Sequence, residues 1–152
     1  MSEFLRVTVD KFTFRVATDR LYTAEGAWVL RIQPREVNNV RLGVTDFVQQ
    51  HNGDVAFVNI KPGGTPIHVG DEFAEIETMK VTLALASPVD GTIVRLNEAF
   101  TLNPELINQD PYGEGWLAEI ETTNWETDRT RLLDPRAYLA VMQAQAEEEL
   151  KS

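Results

Sequence analysis

The chain has 152 residues, of which 43% are hydrophobic, and a formal net charge of −10. This length and composition predict one soluble globular domain, and the negative charge argues against nucleic acid as a partner. The chain has no cysteine and only two histidines. Disulfides and thiolate chemistry are therefore excluded, and a self-contained hydrolase or metalloenzyme would be short of catalytic groups.

Membrane and secretion signals are missing from the sequence. No apolar run is long enough to span a membrane, and residues 1–6 lack the basic start and apolar stretch of a signal peptide. We therefore expect a protein of the cytoplasm that does not associate with membranes.

Residues 1–20 form a predicted N-terminal extension. Their apolar and polar side chains alternate on both sides of Asp10-Lys11, which predicts a strand or a hairpin. Residues 28–32 and 39–44 then have the pattern of a second pair of strands, with Pro34 in the connection.

Residues 45–53 predict a short helix. Thr45 can cap the first amides of this helix, and Asn52-Gly53 can end it. His51 lies near its C-terminus, and neither His51 nor His68 has partners in the sequence that would indicate a metal or catalytic site. We expect both imidazoles to be exposed.

An internal repeat begins at Gly53. Residues 53–59 resemble residues 91–97, and the five letters of residues 74–78 return unchanged at residues 118–122. Two matches in the same order predict two similar sheet-forming halves around one core. The second half carries an insert at residues 101–115, whose prolines and glycines predict a loop.

One lysine stands between two alternating runs in the first half of the repeat. Both runs have the period-two pattern of half-buried strands, so the chain must reverse near Met79-Lys80 and place Lys80 at the tip of a hairpin. A lysine in a turn is most commonly just solvated, and Met-Lys is a poor turn sequence that the flanking strands must impose. One face of the first run consists of Ala74, Ile76 and Thr78, and one face of the second consists of Val81, Leu83 and Leu85.

The C-terminal segment predicts a helix over residues 134–150. Asp134 is a capping residue, and Pro135 suits the first turn. Tyr138 and Met142 are interpreted as packing residues, and the acidic residues 147–149 as a solvated end. The predicted apolar stripe consists of Ala137, Tyr138, Val141, Met142 and Ala144.

The surroundings of Lys80 resemble the lipoyl-attachment hairpin of swinging-arm carriers. Glu77 stands three residues before the lysine, and Gly70-Asp71 stands about ten residues before it. Biotin carriers share this fold but normally have methionine on both sides of the lysine, whereas here Met79 precedes it and Val81 follows it. The tip alone leaves lipoate and biotin open.

The wider sequence resembles the glycine cleavage H-protein family from about residue 21 to residue 143. The resemblance implies a mainly β barrel-sandwich hybrid of two antiparallel sheets with internal pseudo-symmetry, short helices and a C-terminal helix. It also implies a single domain, with an H-protein-like core at residues 21–127 and a helical segment at residues 128–152. The segments that carry the resemblance are residues 22–28, 43–47, 53–55, 77–80, 87–91, 103–108, 110–117, 133–134 and 137–138.

The resemblance implies a carrier and not an enzyme. Lipoate would be attached to Lys80 as N6-lipoyllysine by a lipoate-protein ligase that recognises Glu77. The arm would carry an aminomethyl intermediate between a pyridoxal-phosphate glycine decarboxylase and an aminomethyltransferase, and dihydrolipoamide dehydrogenase would reoxidise it. We expect the carrier to act as a monomer.

Two departures from the family pattern keep an alternative open. Gly26-Ala27 stands where the family usually has His-Glu, and the extension before residue 21 is longer than expected. Both would suit a specialised lipoate-binding carrier that serves sulfur-oxidising enzymes of a heterodisulfide-reductase-like system. A third possibility is an unmodified structural relative, which a mass measurement after exposure to a lipoate ligase would distinguish.

Overall fold

The computed structural model describes residues 3–32 and 38–151, so Pro34 lies outside the described residues. The predicted strand pairs, the short helix and the C-terminal helix are all present. In chain order, the elements are β1 Phe4–Val9, β2 Phe12–Ala17, β3 Leu21–Tyr22, β4 Ala27–Arg31, β5 Asn39–Val44, α1 Asp46–Asn52, β6 Val55–Ile60, β7 Pro66–Ile67, β8 Glu72–Thr78, β9 Thr82–Ala86, β10 Gly91–Leu96, α2 Leu106–Gln109, β11 Ala118–Thr122, α3 Trp125–Asp128 and α4 Pro135–Lys151.

Two antiparallel sheets enclose the main core, as the resemblance implied. One sheet has six strands in the order β3-β4-β5-β11-β10-β7, and the other has three in the order β6-β8-β9. Alternate side chains from each sheet point inward because the side-chain period of a strand is two. The apolar cluster between the sheets includes Val29, Val40, Leu42, Phe73, Ile76, Val89, Ile93, Leu117 and Ile120.

The internal repeat appears in the structure as two strand pairs with the same irregularity. β6 pairs with β8, and β10 pairs with β11. The register shifts between Val55 and Phe57 in the first pair and between Ile93 and Arg95 in the second. These are equivalent positions of the repeat, so each half bends its first strand at the same place.

The N-terminal extension is an antiparallel hairpin of β1 and β2, which confirms the second of the two expectations for it. Its inward face joins a second apolar cluster that α4 closes. Tyr22 and Tyr138 stack there with ring centroids 4.7 Å apart. The cluster consists of Val9, Phe14, Val16, Ala17, Tyr22, Trp28, Phe47, Tyr112, Trp116, Tyr138, Met142 and Ala146.

Polar contacts fix this hairpin to α1. The buried carboxylate of Asp46 accepts a hydrogen bond from the backbone N–H of Arg15 at 3.0 Å. The Gln50 side-chain amide donates to the carbonyl of Thr13 at 3.0 Å, and the Tyr112 hydroxyl donates to the carbonyl of Arg15 at 2.7 Å. Side chains of the neighbouring elements thus satisfy backbone groups of β2.

Two sequence predictions need correction. Residues 101–115 are mostly loop, but they contain the single helical turn α2, whose Asn108 side chain donates to the carbonyl of Gly53 at 2.9 Å. The apolar stripe of α4 includes buried Ala146, whereas Ala144 is exposed. Ala146 lies on the same helical face as Tyr138 and Met142, four or eight residues along, and that spacing decides which alanine is buried.

Candidate functional site

Lys80 occupies the tip of the β8–β9 hairpin, as the alternation predicted. The turn depends on Thr78, whose backbone N–H donates to the carbonyl of Val81 at 2.9 Å. The Thr78 hydroxyl accepts hydrogen bonds from the backbone N–H groups of Lys80 at 3.2 Å and Val81 at 3.1 Å. A side-chain oxygen thereby supplies the turn chemistry that Met-Lys lacks.

The hairpin base is rigid because it belongs to the packed core. Ile76, two residues before the last residue of β8, is buried and pairs with Val58 on one side and Leu83 on the other. Phe73 and Ala74 are buried in the same strand. Since packed interiors resist small displacements, the tip has a fixed position relative to the body.

The Lys80 side chain is exposed and lies beside the C-terminal end of α1. A Cβ placed on Gly53 would be 4.0 Å from Cε of Lys80. Within residues 3–32 and 38–151, the side-chain amine of Lys80 has no hydrogen bond or ion pair. An exposed amine without a partner on a stiff loop is accessible to a modifying enzyme.

Glu77, the other predicted site residue, is exposed on β8 and therefore lies on the solvent side of the hairpin. Its strand partners are Phe57 of β6 and Thr82 of β9. Phe57 and Met79 are large exposed apolar side chains in the same region. The solvent side of the hairpin thus presents a carboxylate beside apolar surface, a combination that a partner protein can recognise.

Two cavities lie next to the hairpin. The first, here called the Lys80 groove, has a volume of about 230 Å³ and is lined by Lys80 itself, by α1 and by both terminal elements. The second has a volume of about 410 Å³ and lies between β9, α1 and the chain around Gly26-Ala27. Lys80 lines the first cavity but not the second.

The two histidines are exposed, as expected. His51 stacks on Phe47 with ring centroids 5.6 Å apart, and its Nε2 lies 3.9 Å from a carboxylate oxygen of Glu149. His68 lies 3.5 Å from Asp71 on a different part of the surface. Among the residues that the structure describes, no three histidine, aspartate or glutamate side chains are grouped to hold a metal ion. No helix in the same residues could cross a membrane.

Sequence reasoning predicted Lys80 and Glu77 as site residues but did not point to two features of their surroundings. The Thr78 hydroxyl was counted only as a polar member of an apolar face, although a threonine two residues before a turn position is a known signal for a side-chain-capped turn. The Lys80 groove was also missed, because its walls come from the two distant ends of the chain. No local sequence pattern predicts a contact between the two ends of the chain.

Comparison with known proteins identifies the family to which the chain is similar. The sequence model of the family described as glycine cleavage H-protein matches residues 20–145. The chain is 39% identical over 126 residues to a glycine cleavage system H protein of Mycobacterium avium, a match that covers 81% of this chain and 93% of the relative. The H protein of Bacteroides fragilis is 41% identical over 123 residues, with 81% and 94% covered.

A solved structure gives the same result. The crystal structure of a glycine cleavage system H protein from Mycobacterium marinum matches with a TM-score of 0.69 and 30% identity, covering 81% of this chain and 95% of that chain. The relatives named here are all described as glycine cleavage H proteins, which gives no support to the sulfur-oxidation alternative. The chain, with its barrel-sandwich fold, therefore belongs to the glycine cleavage H-protein family.

Proposed function

We propose that the chain is the lipoyl carrier of a glycine cleavage system, with lipoate joined to Nζ of Lys80 through an amide bond. The observation that carries this proposal is the position of Lys80 in a chain of this family. Its exposed side chain stands at the tip of a hairpin whose base is buried in the core. This site fits lipoate, because the amine is accessible. Amide formation would remove the positive charge of Lys80, and in the described part of the chain no ion pair depends on that charge.

Attachment would consume the lysine amine. Nζ attacks the carbonyl carbon of an activated lipoate, the activating group leaves with the bonding electrons, and Nζ loses a proton as the amide forms. The product is neutral, so the site changes from a hydrated cation to a long apolar arm. Lys80 then takes no chemical part in turnover and serves as the anchor.

When attached, lipoate supplies a disulfide that can accept a one-carbon unit and two electrons from one enzyme and deliver them to others. The chain's own residues would hold the anchor still and present a surface to each partner. The partners in this proposal are a pyridoxal-phosphate glycine decarboxylase, an aminomethyltransferase and dihydrolipoamide dehydrogenase. A net charge of −10 suits brief docking against basic surfaces, and a tether raises the local concentration of the arm at each active site.

We infer that Glu77 helps the lipoate ligase to recognise the hairpin. Its carboxylate is exposed three residues before the anchor, on a strand whose position is fixed by Ile76 in the core. Replacing Glu77 with Gln should slow ligation without changing stability. Glu72→Gln, on the same strand but farther from the tip, is the matched control. Equal ligation rates for both variants would refute this role.

Intact-mass measurement tests the attachment. The purified chain, incubated with a lipoate-protein ligase, ATP and lipoate, should gain the mass of one lipoyl group. Lys80→Arg should abolish the gain, and Lys61→Arg, which removes another exposed lysine, should leave it unchanged. No gain in the wild type, or a gain that survives Lys80→Arg, would show that the chain is not a carrier at this lysine.

The pathway has its own test. The lipoylated chain should support exchange of bicarbonate into the carboxyl group of glycine in the presence of glycine decarboxylase. The unlipoylated chain and Lys80→Arg should not support it. A lipoylated chain that gives no exchange would refute the glycine cleavage assignment while leaving the carrier assignment intact.

A further inference from the structure

Two segments of the chain that lie outside the family match meet beside Lys80. The match covers residues 20–145, so the β1–β2 hairpin precedes it and the end of α4 follows it. The alignment with the Mycobacterium avium H protein covers 93% of that relative but only 81% of this chain, and the solved structure gives 95% and 81%. These relatives therefore have almost no chain that could correspond to the hairpin.

The two added segments form opposite walls of the Lys80 groove. Phe12 and Phe14 of the hairpin line one side, and Leu150 of α4 lines the other. The floor is α1, and Phe14 packs edge-on against Phe47 of this helix at 5.3 Å between ring centroids. The groove is therefore a preformed feature that this chain adds at the edge of the anchor.

We propose that the Lys80 groove is a docking site for glycine decarboxylase, and that it takes an apolar side chain of this enzyme that is flanked by basic groups. The inference rests on the proposed function, because it requires a carrier whose arm is loaded by that enzyme. It adds a surface that selects the partner and that is built by segments outside the family match.

The exposure of the two walls favours a partner protein. Val9 and Phe14 of the hairpin are buried in the second apolar cluster and support the fold. Phe12 and Leu150 lie outside that cluster, and they are 43% and 52% exposed. Covering such surface is favourable in proportion to the apolar area removed from water, and exposed apolar surface with a polar margin is typical of interaction sites.

The charges around the groove favour basic groups on the partner. Glu147 and Glu149 are exposed near the end of α4, and Glu149 lines the groove. Lys80 is the one lysine or arginine among the described residues of the lining, and amide formation with lipoate would remove its charge. The lipoylated groove would thus be acidic, on a chain whose net charge is −10. Complementary charges accelerate association and orient the partner.

The position of the groove suits the enzyme that loads the arm. Lys80 lies at its edge, so an enzyme that takes up an arm attached to Nζ must approach over the groove. The hairpin wall is fixed, because the Gln50 amide donates to the carbonyl of Thr13 at 3.0 Å and the Arg15 backbone N–H donates to the carboxylate of Asp46 at 3.0 Å. Docking would therefore order few groups of the carrier and lose little free energy to entropy.

Carrier kinetics test the docking site. Exchange of bicarbonate into glycine is measured with the glycine decarboxylase of the same organism, over a range of concentrations of the carrier, after intact mass has verified complete lipoylation. The test variant is Phe12→Ser with Leu150→Ser. We expect its KM as a substrate of the enzyme to rise about tenfold while kcat stays within about twofold, because docking is lost and the arm is unchanged.

The matched control removes apolar surface elsewhere. Val69→Ser with Val94→Ser changes two side chains that are 42% and 45% exposed and lie outside the groove. This control should have the KM of the wild type.

A second pair of variants tests the charges and keeps every apolar side chain. Glu147→Gln with Glu149→Gln should raise KM about threefold at low ionic strength, and the difference should disappear in roughly 0.5 M salt, which screens exposed charges. The control is Glu121→Gln with Glu126→Gln, which removes two exposed carboxylates of β11 and α3 that lie outside the groove. Its KM should equal that of the wild type.

The outcomes separate this inference from the function on which it rests. No exchange with the lipoylated wild type refutes both the glycine cleavage assignment and the docking site. Exchange with the same KM in the wild type and in both groove variants refutes the docking site alone, as does an equal rise in the controls or a fall in kcat without a rise in KM. A rise in the serine variant alone refutes the basic groups on the partner, and a rise in the glutamine variant alone refutes the apolar side chain.

Discussion

The hydroxyl of Thr78 holds the backbone of Lys80, accepting a hydrogen bond from its N–H at 3.2 Å. The same hydroxyl accepts from Val81 at 3.1 Å and donates to the carbonyl of Val81 at 3.0 Å. One side chain therefore closes the turn that presents the anchor. The Thr78 hydroxyl should therefore affect the rate of lipoylation of Lys80 more than the free energy of unfolding, because the core holds the strands below the turn.

Thr78→Val tests this turn. Valine keeps the shape of threonine but removes the hydroxyl, so the tip should sample more conformations and ligation should slow about threefold or more, while the free energy of unfolding falls by only about 1 kcal/mol. Thr82→Val, an exposed threonine on the adjacent strand, is the control. Ligation rates come from intact mass and stability from urea unfolding. A normal rate in Thr78→Val would show that the strands alone fix the tip.

Gly26→Ala should destabilise the fold more than Gly64→Ala. Both glycines have positive φ, +98° at Gly26 and +90° at Gly64, so alanine is strained at either position by about 1–2 kcal/mol. At Gly26 the new Cβ would also lie 2.4 Å from Cγ2 of Val48, whereas nothing lies within 4 Å at Gly64. The difference between the two midpoints in urea isolates the steric term, and equal midpoints would contradict it.

The two arginines that bind Glu119 should contribute unequally. Glu119 is buried, and one of its oxygens lies 2.6 Å from Nη2 of Arg41, while Arg95 reaches the other at 3.4 Å from a side chain that is 62% exposed. Arg41→Met should therefore cost about 2–3 kcal/mol, because it leaves a buried carboxylate poorly compensated. Arg95→Met should cost less than about 1 kcal/mol. Urea unfolding at pH 7 distinguishes them, and equal losses would be inconsistent with this geometry.

Buried tyrosines should make the fold sensitive to alkali. Burial raises the pKa of Tyr138 from 10.0 to about 12, and burial also raises the pKa of Tyr22 and of Tyr112. Above pH 10 the unfolded chain loses phenolic protons that the folded chain keeps, so stability is full below pH 10 and falls as the pH rises. Each of the three phenols should lower the free energy of unfolding by about 1.4 kcal/mol per pH unit above that point.

Tyr138→Phe provides the control for the alkaline effect. It should reduce the slope between pH 10 and pH 12 by about 1.4 kcal/mol per pH unit. At pH 7 it should cost about 1 kcal/mol, because the Tyr138 hydroxyl is paired with Thr45 at 2.9 Å. Urea titrations at several pH values give both quantities. An unchanged slope would show that this phenol does not titrate differently in the two states.

Much of the fold was predictable from the sequence because it depends on patterns among residues that are close together in the chain. Period-two alternation placed the β8–β9 hairpin and its lysine, and a five-letter repeat placed two similar strand pairs. Thr45 as a helix cap was predictable for the same reason, and its hydroxyl does accept from the N–H of Val48. These features depend on neighbours in the chain, whose chemistry can be inferred directly.

The remaining features depend on contacts between distant residues. The cluster that joins β1 and β2 to α4 contains Val9 and Phe14 together with Tyr138 and Met142, and no local pattern in either segment indicates that they meet. The resemblance marked Gly26-Ala27 as a departure, but the positive φ of Gly26 and its proximity to Val48 are set by tertiary packing, which the sequence pattern does not contain. The lining of the Lys80 groove is unpredictable in the same sense.

The packing of the first strands against the last helix has a consequence during synthesis. Val9 and Phe14 share a cluster with Tyr138 and Met142, so this contact spans nearly the whole chain and forms late. On the ribosome, the β8–β9 hairpin emerges well before α4, and domains fold as their parts become available. A ligase that acts on the nascent chain would therefore meet Lys80 before the second wall beside it has been translated.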